Sequence, residues 1–318
     1  HGLAFLTEGH RQPDGGYAWV LNGLEVQDGT RHCYGHAFVL LAAAGAAKAG
    51  VESARELAGD TYDLLEQRFF EPSAGLYVDE IASGDWAAID PYRGQNCNMH
   101  MCEAMLAAFE ATGEARYLDR ADGLAKRICV ELTEATDGLV WEHYHTDWTH
   151  DWDYNRDDPK NLFRPYGYLP GHFTEWTKLL LILERHRPED WMATRAQHLF
   201  DTALAKSWDD VSPGMNYTFG PDGTILDTDR YYWVIAETFA AAAALALRTG
   251  DDRYWEWYDR VWAYGDAHFV DHAHGAWYRV LNRKNRRYDD LKSPPSKTDY
   301  HPLAACFETL EAMRHAAA

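Results

Sequence analysis

Four histidines occupy similar positions in the chain, each near the beginning of a stretch rich in small and apolar residues: His36, His100, His172 and His301. A neutral imidazole can accept a proton and return it near neutral pH, so several such rings suit a reaction that moves protons between substrate atoms. Two of the histidines are followed three residues later by an acid, Glu103 and Glu175. Residues three apart share a helix face, so each carboxylate is placed to orient its neighbour.

The stretches that carry these histidines belong to a repeating pattern of two helix types. Small-residue, largely apolar helices, which we expect to be buried, are predicted over roughly 32–49, 98–112, 171–186, 232–249 and 299–316. Charged amphipathic helices, which we expect to face solvent, are predicted over roughly 52–69, 115–132, 189–206 and 251–268. Gly50, Gly113 and Gly250 supply turns between the two types, so the pattern predicts αα-hairpins.

Such hairpins can stack openly as a solenoid or close into a ring. We favour closure because the units show no polar capping repeat and their number approaches six pairs. The sequence therefore predicts an all-α fold, an (α/α)6 barrel, as a single domain over residues 1–318. All inner helices of such a ring begin at one end, where the histidines would meet Trp233 and Glu237 of the remaining inner helix. Connecting segments are predicted to add Arg93, Gln95, Asn96, Arg164 and Tyr166.

The composition excludes several classes of function. The 318 residues include 30 Lys and Arg against 50 Asp and Glu, a formal charge of -20, which disfavours nucleic acid as a partner. No apolar run reaches the roughly 18 residues that a membrane helix needs. The five cysteines are an odd number without a CxxC pair, which favours buried thiols in a reducing cytoplasm. The sequence thus predicts a cytoplasmic protein with neither a membrane nor a nucleic acid as partner.

Three other functions compete with proton transfer. A metal site is one, because residues 142–153 contain the possible ligands Glu142, His143, His145, His150, Asp151 and Asp153. An inverting glycosidase is another, with its carboxylates drawn from Glu103, Glu175 and Glu237. A non-catalytic sugar-binding protein is the third. The 13 Trp and 19 Tyr are typical of a sugar-binding cleft in each case, and no nucleotide or HExxH motif is present.

Four ordered segments resemble the N-acylglucosamine 2-epimerase family, and in particular its aldose-ketose isomerases. These segments run over residues 93–104, 163–176, 230–237 and 297–301, and the resemblance extends from about Gly2 to Glu311. It implies an (α/α)6 barrel that needs no metal, nucleotide or other cofactor. It also implies about one further helical segment before the position of His1, so the barrel is expected to lack its first helical segment in the chain as given.

The resemblance also implies roles for individual residues. His301 would move the proton from C2 to C1 of an open-chain aldose through a cis-enediol. His172 would open the sugar ring and move protons between O1 and O2, with Glu175 holding it in place. The residues expected to bind sugar hydroxyls or to support the histidines are Tyr34, Asn96, His100, Glu103, Arg164, Trp233 and Glu237, with His36 as an alternative to Tyr34.

The expected substrate is a monosaccharide. We expect interconversion of mannose and fructose, with lyxose and xylulose as a second pair because lyxose shares the C2 configuration of mannose. Isomerisation of sulfoquinovose and 2-epimerisation are the alternatives within the family, and Arg93 or Arg164 would supply the basic contact that a sulfonate needs. An oligomer is compatible with this family.

Overall fold

The computed structural model of the protein describes residues 1–292 and 299–317. Two compact units are formed, one by His1–Ala135 with Trp141–Tyr154, the other by Thr136–Val140 with the described part of Asn155–Ala318. They are described separately below. Lys297 and Thr298, which open the fourth family-like segment, lie outside the described residues. Among the helices described, none is both long and apolar enough to cross a membrane.

The first unit is built from two long helix pairs. A short helix α1 (Gly2–Phe5) continues into a π-helix (Leu6–His10), and the pairs are α2 (Cys33–Lys48) with α3 (Ser53–Arg68) and α4 (Gln95–Thr112) with α5 (Ala115–Cys129), followed by a 3-10 turn (Glu131–Thr133). Its short strands are β1 (Val20–Asn22), β2 (Glu25–Asp28), β3 (Arg31–His32), β4 (Phe70–Glu71), β5 (Leu76–Tyr77), β6 (Glu80–Ile81), β7 (Arg93–Gly94) and β8 (His143–Tyr144). They form antiparallel pairs β1–β2, β3–β6, β4–β5 and β7–β8.

The second unit repeats the helix pair and adds a final helix. Its helices are α6 (Pro170–His186), α7 (Asp190–Ser207), α8 (Tyr232–Thr249), α9 (Asp252–His268) and α10 (Tyr300–Ala317). Its strands are β9 (Thr218–Phe219), β10 (Ile225–Asp227), β11 (Arg230–Tyr231) and β12 (Val280–Leu281), paired β9–β10 and β11–β12 in antiparallel fashion. Because β11 ends where α8 begins, its pairing with β12 fixes the start of α8.

The predicted alternation of buried and exposed helices is confirmed, and the helix bounds agree within three residues. In α8 nearly every residue from Tyr232 to Ala246 is buried, because Ala side chains let neighbouring helices approach closely on several sides. In α9, by contrast, the buried residues are Tyr254, Val261, Tyr264 and Gly265, which occupy one face. Left-handed Gly113 and Gly250 end α4 and α8, with φ of 76° and 70°, as their positions predicted.

One inner helix departs from the prediction. We expected residues 299–316 to be buried, but Leu303 and Phe307 of α10 are each 61% exposed and Leu310 is 49% exposed. These residues lie on one face, whereas Ala305 and Thr309, on another, are buried. The composition of a helix indicates that it has apolar surface to bury, but it does not reveal which faces are covered, and this explains the error.

The cysteine prediction holds for four of the five thiols. Cys33, Cys97, Cys102 and Cys129 are buried free thiols, while Cys306 on α10 is only half-buried. Burial raises the pKa of the Cys102 thiol far above its ordinary value, because a thiolate would lose its hydration there. Cys33, Cys97 and Cys102 therefore pack within the inner helices α2 and α4, and Cys129 packs at the end of the outer helix α5.

Candidate active site

The starts of α6, α8 and α10 bring two of the predicted histidines against one tryptophan. The indole of Trp233 lies with its ring centre 5.2 Å from that of His172 and 5.4 Å from that of His301. All three side chains are at most 3% exposed. Pro170 occupies the first turn of α6, where its fixed φ favours helix initiation, and so it helps to place His172 at the edge of this arrangement.

A chain of three hydrogen-bonded or ion-paired groups extends from His301 into the interior. His301 Nδ1 lies 2.7 Å from Glu237 Oε1, and Lys178 Nζ donates to Glu237 Oε2 at 2.6 Å. The same ammonium forms an ion pair with Glu308 at 2.9 Å. The side chains of Lys178 and Glu237 are 2% and 0% exposed, so these charges interact with little solvent between them.

The ionisation of Glu237 fixes the tautomer of His301. Burial alone would raise the pKa of this carboxyl, but the Lys178 ammonium and the hydrogen bond with His301 outweigh burial and lower it to about 2. A carboxylate has no proton to donate, so Nδ1 of His301 must carry the shared hydrogen. The lone pair of the neutral ring is then on Nε2, which makes Nε2 the atom able to accept a proton from a substrate.

Glu175 completes what we call the α6–α8–α10 cluster: His172, Glu175, Lys178, Trp233, Glu237 and His301. Glu175 is fully buried, and it offers a carboxylate oxygen within 4.8 Å of ligand atoms of Glu237 and His301. Two acids and an imidazole at that spacing could hold a cation. Lys178 already places a positive charge on Glu237, so the residues fit an internal ammonium better than an added metal ion.

Gly171 provides the space that this arrangement requires. A Cβ at this position would lie 2.6 and 2.7 Å from atoms of the Trp233 ring and 2.8 Å from Val234 Cγ2. The indole is rigid and buried, so a methyl group there would push α6 away from α8 or displace Trp233 from its two histidines.

We therefore expect Gly171→Ala to lower the free energy of unfolding by about 1–3 kcal/mol, the usual range for an overpacked site. Urea denaturation followed by circular dichroism measures this change. Gly45→Ala is the matched control, because Gly45 is an exposed position within α2 with no atom within 4 Å of the added Cβ. That variant should be as stable as the parent or slightly more stable; a Gly171→Ala protein of equal stability would contradict the close packing of α6 on α8.

In the first unit, His100 and Glu103 form the other predicted pair. His100 Nδ1 lies 3.0 Å from Glu103 Oε2, and both side chains are buried. The rings of Tyr34 and Phe38 contact His100 with centroid distances of 5.0 and 5.1 Å. Asn96, in the first turn of α4, is half-buried, and its Oδ1 has no hydrogen-bond partner among the described residues. That oxygen is able to accept a hydrogen bond from a ligand hydroxyl.

His36 is not available as a ligand-binding group, so its assignment as an alternative to Tyr34 is wrong. Its Nε2 accepts a hydrogen bond from the backbone N–H of Tyr17, and its Nδ1 bonds to the carbonyl of His32. Burial lowers its pKa to about 4, which keeps the ring neutral. His36 therefore anchors two backbone segments, although it lies near the start of its helix as the other three histidines do.

Two further residues expected near the helix starts have structural roles. Arg93 donates to both carboxylate oxygens of Glu71 at 2.9 and 3.0 Å and to the carbonyls of Asp90 and Tyr92, so four of its five N–H donors are engaged within the protein. Gln95 donates to Glu142 at 2.9 Å. These side chains hold the loop that leads into α4.

Arg164 and Tyr166 lie in the segment before α6. The backbone of Arg164 is held by Asn161 and Asn155, and its side chain is half-buried. Tyr166 is buried. The placement of Arg164 does not by itself assign a function to its guanidinium, and its predicted role in substrate binding stays a prediction.

The possible metal ligands of residues 142–153 take other partners. His143 Nδ1 lies 2.9 Å from the Tyr92 hydroxyl, and His150 Nε2 bonds to the Leu132 carbonyl while its ring stacks on Trp152. His145 is largely exposed and lies 3.4 Å from Asp151. The segment is thus held by hydrogen bonds and ring contacts.

Lys178 is the member of the cluster that sequence reasoning missed. It follows Trp176 and Thr177 in a run that otherwise continues with Leu residues, where a single Lys is easily taken for a solvent-facing residue. A usable signal was present, because Lys178 stands three residues after Glu175 and six after His172 on the same helix.

Comparison with known proteins finds relatives over nearly the whole chain. The sequence matches the N-acylglucosamine 2-epimerase (GlcNAc 2-epimerase) family over residues 1–305. A D-mannose isomerase from Marinomonas mediterranea is 50% identical over 314 residues, which cover 98% of this chain and 79% of the relative. A solved structure of a D-mannose isomerase is similar with a TM-score of 0.96 at 50% identity, covering 98% of this chain and 80% of that one.

A more distant likeness speaks for the fold alone. The structure of a cellobiose 2-epimerase from Spirochaeta thermophila gives a TM-score of 0.86 at 22% identity, covering 99% of this chain and 79% of that one. Together these likenesses confirm the predicted fold class, an all-α (α/α)6 barrel.

Proposed function

Because the chain belongs to the N-acylglucosamine 2-epimerase family, we propose that it is an aldose-ketose isomerase that interconverts D-mannose and D-fructose, and D-lyxose and D-xylulose as a second pair. The observation that carries this proposal is the α6–α8–α10 cluster, in which two imidazoles flank one buried indole and one imidazole has a fixed tautomer. The choice of mannose is supported by the 50% identical relative named D-mannose isomerase. We also propose that residues 1–318 act as one domain.

In the proposed reaction, His301 acts on the carbon atoms. Its Nε2 removes the proton from C2 of the open-chain aldose. The electron pair of that C–H bond forms the C1–C2 double bond while the π pair of the C1–O1 carbonyl moves onto O1, and O1 takes up a proton from His172 to give a cis-enediol. The same atom then returns the proton to C1 while O2 loses its proton, which gives the ketose. A single base suffices because C1 and C2 are adjacent and the two transfers occur on one face of the enediol.

His172 is proposed to act on the oxygen atoms. It transfers a proton from the anomeric hydroxyl to the ring oxygen, which opens the pyranose, and it later moves a proton from O2 to O1. Glu175 is proposed to hold the imidazole in place during these steps. The contact of both imidazoles with the same indole, at 5.2 and 5.4 Å between ring centres, supports this division of work, because one sugar can present its carbon skeleton to one ring and its oxygen atoms to the other.

The remaining predicted residues are proposed to bind the sugar. Negative charge develops on oxygen as the enediol forms, so hydrogen-bond donors and a guanidinium at those oxygens stabilise the transition state by several kcal/mol. We assign Arg164 and His100 to this task, with Asn96 accepting from a hydroxyl. Tyr34 and Glu103 support His100, from which they lie 5.0 Å (ring centres) and 3.0 Å away.

The experiment that tests this function follows hydrogen isotopes. Incubated with mannose in deuterated water, the protein should produce fructose that carries deuterium at C1, as read by NMR. Glucose and sulfoquinovose are tested in parallel. An epimeric aldose labelled at C2 would instead indicate 2-epimerisation, and preferential conversion of sulfoquinovose would replace mannose as the substrate. Activity lost on exhaustive chelation and restored by a metal ion would contradict the cofactor-free mechanism.

A further inference from the structure

Lys178 interacts with the proposed base through one carboxylate. Its ammonium lies 2.6 Å from Glu237 Oε2, while the other oxygen of the same carboxylate lies 2.7 Å from His301 Nδ1. The residues come from α6, α8 and α10, so their separation in the sequence gives no hint of the contact. We propose that Lys178 is a positioning residue that sets the proton affinity and the tautomer of His301 through Glu237. This inference rests on the proposed function of His301 as the base.

The physical argument is electrostatic. Glu237 draws a proton toward the pair that it forms with His301, since a negative charge stabilises the imidazolium. The positive charge of Lys178 opposes that effect and at the same time keeps Glu237 ionised, as its pKa near 2 reflects. Lys178 therefore weakens the pull of Glu237 on a second imidazole proton, while the carboxylate still holds the hydrogen of Nδ1.

Stability alone is a poor explanation for this buried Lys. Removing an ammonium from water is costly, and well-packed apolar side chains often stabilise a protein as much as a buried ion pair does. Lys178 lines a cavity of about 220 Å³ together with Glu184, Arg185 and Glu308. Its ammonium pairs with Glu308 of that lining at 2.9 Å and with the buried Glu237 at 2.6 Å.

Among the described residues, the charged groups that contacts place near Glu237 come from α6 and α10. Lys178 and Glu175 of α6 lie next to Glu237, and so does His301 of α10. Glu308 of α10 interacts with Glu237 indirectly, through its ion pair with Lys178. On the outer helices α7 and α9 the Asp, Glu, Lys, Arg and His side chains are exposed or half-exposed. A change of charge at Lys178 or Glu308 should therefore alter mainly the proton affinities of Glu237, Glu175 and His301.

The test compares two substitutions that change the local charge in opposite directions. Lys178→Met removes a positive charge, so the His301–Glu237 pair should bind a proton more readily and the acid limb of the kcat/KM profile should move to higher pH by about one unit. Glu308→Gln removes a negative charge beside Lys178, so the limb should move to lower pH by a smaller amount. Lys178→Arg retains the charge and should return the limb toward its original position.

The expected loss of kcat/KM at pH 7 for Lys178→Met is about 10- to 100-fold, the range found when the partner behind a metal-binding histidine is removed. Arg248→Met is the matched control. Arg248 also joins α8 to α6, through Glu184 at 2.7 and 2.9 Å, but its side chain is 52% exposed and it does not contact Glu237. This control should keep the parent pH profile.

Two results would overturn the inference: acid limbs that coincide with the parent in both charge variants, or limbs that move in the same direction. If Lys178→Met does not fold, the test rests on Glu308→Gln, whose substitution is at a half-exposed residue. An acid limb of the kcat/KM profile that does not move in this variant would contradict the proposed effect of Lys178 on His301. The titration of His301 by NMR in the free protein, assigned through His301→Ala, gives the same comparison without substrate. Failure of the parent protein to isomerise mannose would count against the proposed function. The NMR titration of His301 in the charge variants would then test the role of Lys178 by itself.

Discussion

His301→Ala should lose exchange of the C2 proton altogether, with kcat/KM for mannose reduced by about 10³-fold or more, within the range that general acid–base groups contribute. The reason is that Glu237 holds the hydrogen on Nδ1 of His301, which places the lone pair of the neutral ring on Nε2, the proposed base. Without the imidazole no group of the cluster takes over the proton on carbon. Incubation in deuterated water followed by NMR measures both the exchange and the conversion.

The matched control is His145→Ala. This histidine lies in an exposed loop, with 56% of its side chain accessible and Asp151 3.4 Å away. The His145→Ala variant should convert mannose at nearly the rate of the parent protein. Near-normal C2 exchange in His301→Ala would show that the base has been assigned to the wrong residue, whereas loss of activity in both variants would point to a general effect on the fold.

His172→Ala should show a different pattern of loss. Net conversion of mannose to fructose is expected to fall by about 10²- to 10³-fold, because ring opening and transfer between O1 and O2 both lose their proton carrier. Once an open-chain sugar binds, however, His301 can still remove and return the proton at C2. Deuterium should therefore enter recovered mannose faster than fructose accumulates. The measurement compares the two rates in one sample.

Equal loss of exchange and conversion in His172→Ala would mean that the two histidines do not divide the carbon and oxygen steps. Circular dichroism serves as the check on folding, since His172 also packs on Trp233. A variant that is folded, fails to convert mannose and yet exchanges its C2 proton supports the division directly.

Periodicity and residue size were enough to predict the helices. Runs rich in Ala with few charges, such as α8, can only be buried, and charged runs with one apolar face, such as α9, must lie outside them. The left-handed glycines after α4 and α8 were equally predictable, since other residues rarely adopt that conformation. The exposed face of α10 was not, because burial depends on neighbours that the helix sequence does not specify.

The candidate site was predictable only in part. The spacing of His100 and Glu103 within one helix predicted their contact at 3.0 Å, because helix geometry determines it. The contact of His301 with Glu237 spans 64 residues and required the packing of α10 on α8. Position in the first turn did not separate His36 from His172, since the difference lies in backbone groups that happen to face the His36 ring.

The depth of the Lys178–Glu237–His301 chain has a consequence for the conditions in which the protein works. Dissolved ions weaken attraction between charges only where they can come between or around them, and at roughly 0.15 M that screening extends over about 8 Å of solvent. Side chains that are at most 2% exposed are shielded from such ions. We therefore expect the proton affinity of His301, the proposed base, to change little between dilute buffer and high salt, even though the strongly acidic protein as a whole responds to salt.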